Sequence, residues 1–150
     1  MSSESARLGA IYYSLAGPAG APVVLLLHGL GSCADDWAPQ IAALAPRYRV
    51  LAVDLPGHHR SARPRGAPSV ARMAADVEAL LDRLAIPRAH VVGLSLGGCV
   101  ALALTLHAPT RVRSFGSRNV CSARSAYSLV YFEPRRNSIN AAAYSGENSG

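Results

Sequence analysis

Lysine is absent from this chain, so all fifteen of its Lys and Arg residues are arginine. Against nine acidic residues this leaves a formal charge of +6. Such an excess points to nucleic acid or an anionic membrane only where the charges cluster. Here the arginines are scattered, and the densest run is Arg135-Arg136. That excludes a nucleic-acid binder and fits a coding preference for Arg and Ala. Cysteine is scarce too. Cys33, Cys99 and Cys121 are odd in number, widely spaced and form no CxxC pair. This excludes a disulfide scaffold or structural zinc site and makes a reducing, cytoplasmic setting the expectation. Long apolar runs are also missing. The longest aliphatic run, Val23 to Leu27, is far below the ~20 residues of a membrane helix. Met1-Ser2-Ser3-Glu4-Ser5 has neither the basic nor the apolar region of a signal peptide, so no membrane association is expected. With 50% hydrophobic and 16% charged residues, the chain is not disordered, and its length suffices for one domain with a core.

What is present alternates between two kinds of segment. Leu8 to Leu15 is a weak strand candidate. Val23-Val24-Leu25-Leu26-Leu27 is short, continuous and bounded by turn residues, which predicts a strand buried on both faces. Asp35 or Asp36 is placed to cap a helix through Trp37, Ile41 and Leu44, ending near Pro46. A strand from Tyr48 to Val53 follows, then a long loop rich in Arg, Pro and Gly. Ser69 is placed to cap the clearest helix. Its apolar residues Val70, Met73, Val77, Leu80, Leu81 and Leu84 recur at three- and four-residue steps, and Pro87 ends it. Ala89 to Leu94 reads as another buried strand, and Leu96 to Ala108 as an apolar helix stopped by Pro109. Strand–helix alternation of this kind predicts an α/β fold, a three-layer sandwich around a mostly parallel sheet.

Three motifs carry chemistry. Gly93-Leu94-Ser95-Leu96-Gly97 matches G-x-S-x-G between a buried strand and a helix. A sharp strand-to-helix turn needs small neighbours, here Gly93, Gly97 and Gly98, and it projects the Ser95 hydroxyl at a helix N-terminus. His28-Gly29-Leu30-Gly31 follows the central strand, and His28 reads as a structural histidine holding that loop. Asp54-Leu55-Pro56-Gly57-His58-His59-Arg60-Ser61 opens the long loop, with Asp54 as a turn-capping residue rather than a catalytic acid. Adjacent His58 and His59 point apart in an extended loop and make a poor metal pair, and no HxxxH or paired carboxylates exist, so no metal is expected.

These segments, LLLHGLGSCADDW (25–37), YRVLAVDLPGHHRS (48–61), AHVVGLSLGGCVAL (89–102) and APTRVRS (108–114), resemble the α/β-hydrolase superfamily over about residues 7 to 114. The likeness is to small bacterial esterases and lactonases, including 3-oxoadipate enol-lactonase-like proteins. It implies hydrolysis of small-molecule esters or lactones through an acyl-serine at Ser95, without a cofactor. It implies an oxyanion hole from the Leu96 and Leu30 amides and a Val23 strand lying between the Tyr48 and Ala89 strands. His59 stands where such proteins usually have Gly, at a position that favours glycine-like backbone angles. Trp37, Leu30 and Leu96 suggest an apolar pocket.

The resemblance also requires an acid and then a histidine after the nucleophile. After Ser95 the acids are Glu133 and Glu147, and the one histidine is His107. Twelve positions along a helix put it roughly 18 Å away, out of reach. The expectation is therefore residues 1–114 as the N-terminal part of the hydrolase domain, 115–150 as an irregular or aberrant tail with one strand candidate at Ala126 to Phe132, and an open edge on the Ala89 strand for which Phe115 to Val120 or Ala126 to Phe132 are imperfect partners. An impaired enzyme, a non-catalytic remnant, an oligomer or a half-enzyme needing a complementing chain are the options. The composition shifts near Ser114: all four Asn lie beyond it, and 17 of 18 Leu lie before it. On that observation the tail is hypothesised to be out of frame or aberrantly spliced. An intact locus encoding it in frame, without a strand–cap–His remnant in the other frames, would refute this.

Overall fold

The computed structural model describes residues 3–118 and 129–132. Strands β1 (Ser3–Leu8) and β2 (Ile11–Ala16) form a hairpin in which Leu8 pairs with Ile11. The single strand expected from Leu8 to Leu15 is thus two. Gly9, at φ +64°, supplies the left-handed angle that a two-residue turn needs. Thereafter β3 (Val23–Leu27), α1 (Ala38–Leu44), β4 (Arg49–Val53), α2 (Val70–Arg83), β5 (Ala89–Leu94), α3 (Leu96–His107) and β6 (Val112–Arg118) alternate, and β7 (Leu129–Phe132) follows.

These strands form one seven-stranded sheet in the order β1-β2-β4-β3-β5-β6-β7. Strands β4, β3, β5 and β6 run parallel, with antiparallel pairs at both edges. β3 lies between β4 and β5, as the resemblance implies. The first crossover moves outward from β3 to β4, and the next returns past β3 to β5. The C-terminal ends of β3 and β5 therefore flank the point where strand order reverses, where open α/β sheets bind ligands.

β3 is buried throughout, and its side chains divide between two cores. Val23, Leu25 and Leu27 meet Val77, Leu80 and Leu81 of α2 and Val100, Ala101 and Leu104 of α3. Val24 and Leu26 meet Val50 and Ala52 of β4 on the opposite face, covered by Ile41 and Leu44 of α1. This is the predicted three-layer sandwich. α2 begins as predicted, the Ser69 hydroxyl accepting from the Arg72 N–H at 3.2 Å. It ends at Arg83, before Pro87, because Ala85 takes a left-handed φ of +52°.

Two expectations are corrected. The helix at Trp37 is not capped by Asp35 or Asp36. A 3-10 turn (Ala34–Trp37) runs into α1 with no side-chain cap, while Asp36 accepts from the Ser32 hydroxyl and Asp35 from Arg60. The other is the open edge on the Ala89 strand, which the first of the two candidate partner segments covers. β6 runs to Arg118 and closes the β5 edge, after a register shift at Ala89/His90. Its ladder is made by main-chain groups, so polar composition does not prevent pairing, while Val112, Phe115 and Ser117 are buried. β7 pairs with β6 in turn. The rest of the expected tail, with Cys121, Glu133 and Glu147, lies outside the described residues.

The first turn of α3 abuts the end of β3, and glycine permits it. A Cβ added at Gly97 would lie 2.1 Å from the Leu27 carbonyl oxygen. Gly97→Ala is expected to cost about 3 kcal/mol or more, because both clashing partners are backbone. Gly116→Ala, with nothing among the described residues within 4 Å of the added carbon, should be near neutral. Urea unfolding midpoints compare the two, and equal midpoints would contradict the close approach.

Candidate active site

β5 stops at Leu94 and α3 starts at Leu96, so Ser95 alone turns the chain. It adopts φ +50° and ψ −113°, a conformation costing of order 1–3 kcal/mol in a non-glycine residue. The surroundings leave no alternative. A Cβ at Gly93 would sit 2.3 Å from the Gly97 carbonyl oxygen. The Ser95 carbonyl already accepts from the Cys99 N–H at 3.1 Å, so the helix begins while the serine is still strained. Ser95 is exposed, at the positive end of a twelve-residue helix.

The loop after β3 meets this turn. The nearest side-chain atom to a Cβ built on Gly29 is the Ser95 Cβ, at 3.6 Å. His28 is 1% exposed and fixes the loop at two points. Its Nε2 accepts from the Leu55 N–H at 2.9 Å, so the ring proton is on Nδ1, which donates to the Gly29 carbonyl at 2.7 Å. The Ser32 N–H donates to the same carbonyl at 3.2 Å. A trans peptide points its N–H opposite to its C=O, so holding the Gly29 carbonyl also aims the Leu30 N–H. That N–H has no protein acceptor among the described residues. The Leu96 N–H opens α3 and has no intrahelical acceptor either.

Asp54, fully buried at the end of β4, ties two loops together. One carboxylate oxygen accepts from the Ala34 N–H at 2.7 Å, and the other from the Arg60 N–H at 3.1 Å and the Arg60 Nε at 2.9 Å. Arg60 also pairs with Asp35 and stacks 3.7 Å over the Tyr12 ring. Burial pushes the Asp54 carboxyl up, but hydrogen bonds from Arg60 and Ala34 outweigh it and hold the group below its ordinary range. The links from Arg60 to Asp35 and Tyr12 are not visible in sequence pattern, since those partners lie tens of positions away. His58 turns toward His28, with ring centroids 5.1 Å apart, and His59 turns toward Asp54 at 3.3 Å. His59 holds φ +41°, the glycine-like angle expected of its position. Cys33, Asp54 and His59 place one ligand atom each within 4.8 Å of one another, a proximity the sequence did not suggest. A metal fits poorly there, because the Arg60 guanidinium already occupies the Asp54 oxygen that faces His59.

A cleft of about 670 Å³ reaches Leu96, the residue after Ser95, and is lined by Leu30 and Leu96, by Val70 and Met73 of α2, and by His58 and Arg63 of the long loop. Trp37, expected in this pocket, packs instead on the α1 side of the sheet. His107 sits at the far end of α3, 3.9 Å from Glu78.

This geometry, a strained serine at a strand-to-helix turn over the switch point of a parallel sheet, defines the α/β-hydrolase class. The chain belongs to the α/β-hydrolase family, whose fold model matches residues 22–135. It is 42% identical over 127 residues to RutD of Variovorax paradoxus (strain S110), a proposed carbamate hydrolase, covering 83% of this chain and 48% of that protein. Among solved structures it resembles the enol-lactonase of Burkholderia xenovorans LB400, with TM-score 0.68 and 35% identity over 73% of this chain and 44% of that one. It also resembles the carboxylesterase CesB of Bacillus subtilis, with TM-score 0.69 and 34% identity over 75% and 41%. The chain spans about half the length of the relatives it matches.

The buried imidazole sets a pH dependence. Burial pushes His28 below its ordinary 6.5, against the raising effect of the Gly29 hydrogen bond, and burial lowers His90 as well. Below pH 6.5 the unfolded chain binds protons that the folded chain refuses, so stability is full above that pH and falls as pH drops. Asp54, depressed below 3.8, stays ionised in that window. The urea midpoint is expected to be lower at pH 5 than at pH 7.5, and less steeply so in His90→Gln. A flat or rising midpoint would refute the assignment.

Proposed function

We propose that this chain carries the nucleophile and oxyanion half of a serine hydrolase acting on carboxylic esters or lactones. The observation that carries the reading is the exposed, strained Ser95, next in the chain to Leu96 of an apolar cleft, with the Leu30 and Leu96 N–H groups lacking protein acceptors among the described residues. Ser95 Oγ attacks the carbonyl carbon while its proton passes to an imidazole base. The developing oxyanion is held by the Leu30 and Leu96 N–H groups. Collapse of the tetrahedral intermediate expels the alcohol, which takes that proton and leaves an acyl-serine. Water, deprotonated by the same base, then releases the acid and restores the hydroxyl. In a lactone the alcohol remains tethered to the product. A carbamate, the substrate class in the RutD name, presents the same carbonyl.

His28 serves as a positioning residue, its ring committed to Gly29 and Leu55. Asp54 is likewise loop support, its carboxylate taken up by Ala34 and Arg60. No histidine among the described residues hydrogen-bonds the serine, so full turnover needs an imidazole that residues 3–118 do not supply. A second reading, a half-enzyme completed by another chain, is favoured by Leu102 and Leu106, which stand exposed on α3.

Hydrolysis of a p-nitrophenyl ester by the 150-residue chain is expected to fall on the order of 10⁴-fold or more below that of a full-length relative, as for enzymes stripped of triad members. Co-expression with a relative's separate C-terminal half should restore labelling by a fluorophosphonate, lost in Ser95→Ala. Full turnover by the chain alone would overturn the incomplete-triad reading. A fluorophosphonate adduct on any residue but Ser95 would overturn the nucleophile.

A further inference from the structure

The cleft between Leu30, Leu96 and α2 does not end at the long loop. Pro56, Arg63 and Pro64 line it and also line a second cleft of about 420 Å³, set between the β1–β2 turn and α2. The charged side chains of this second cleft are Arg63, Arg65, Arg72 and Arg83 against Asp76. Arg72 faces Asp76 at 3.9 Å. Arg63, Arg65 and Arg83 make no ion pair among the described residues. The Arg83 guanidinium lies against the bare turn, and a Cβ at Gly9 would sit 2.7 Å from its Nη1.

Guanidinium groups that line one cleft repel one another unless an anion lies between them. One carboxylate is satisfied by one arginine fork, whereas three uncompensated forks suit several negative charges held close together, as on phosphate or diphosphate. We propose that this cleft takes the phosphate-bearing part of an ester or thioester whose acyl carbon lies over Ser95, the chain between them passing Pro56 and Pro64. The inference rests on the reading of Ser95 as nucleophile and names the substrate class that site would accept.

Titration calorimetry of the 150-residue chain with inorganic pyrophosphate tests it. Saturable binding is expected, weakened at least tenfold in the double variant Arg65→Gln/Arg83→Gln. Arg47→Gln, outside both clefts, should leave it unchanged. Arg65→Gln alone, in an exposed loop, should weaken binding at least threefold, which keeps the test open if the double variant misfolds. Citrate should bind at least tenfold more weakly than pyrophosphate. Absence of saturable binding, an equal loss in Arg47→Gln, or citrate binding as tightly as pyrophosphate would overturn the proposal. Binding needs no nucleophile, so intact pyrophosphate affinity with no labelling of Ser95 in the complemented enzyme would sink the hydrolase reading alone. Intact labelling with no pyrophosphate binding would sink the arginine cleft alone.

Discussion

The contact between Gly97 and the Leu27 carbonyl governs the site. A helix that presses its first turn onto the end of a neighbouring strand leaves no room for a Cβ. The chain has one residue, Ser95, in which to pass from β5 into α3. Its positive φ is the result of that shortage of space, and the packing of α3 against β3, β5 and α2 offsets the strain. The hydroxyl is presented because the backbone beneath it has nowhere else to go.

A second constraint holds the facing loop. His28 bridges the end of β3 to the start of the long loop through Leu55, and Asp54 bridges Ala34 to Arg60. Ser61 adds a third tie, donating to the Asp54 carbonyl at 2.6 Å and accepting from the Tyr12 N–H at 2.9 Å. Three separate stretches of chain are thus locked around buried polar groups that all have partners. Such networks fix geometry at high cost if broken, which suits a loop whose task is to hold one peptide in a set direction. The long loop leaves this anchored segment to wall both clefts with its Pro and Arg residues.

Much of this was legible in the residues. The continuous run at Val23–Leu27, the stepped apolar residues of α2 with Ser69 before them, and G-x-S-x-G between strand and helix each depend on local periodicity or local sterics. They placed the three-layer sandwich and the turn at Ser95 correctly. Composition misled where it stood in for pairing. The Ser- and Gly-containing stretch after Val112 forms a strand because β5 offers it a ladder of main-chain partners. Trp37, expected with Leu30 and Leu96 in an apolar pocket, packs on the α1 side instead, because amphipathic spacing does not say which side of a sheet a helix covers.

The order of residues along the chain determined which segments became strand or helix and where the backbone had to bend sharply, since those depend on neighbours within a few positions. Tertiary structure alone decided that Arg60 meets Asp54, Asp35 and Tyr12, that Cys33 lies beside His59, and that four scattered arginines line one cleft. Most of those meetings join residues tens of positions apart, and even Arg60 and Asp54, six apart, meet only through the bend of the long loop.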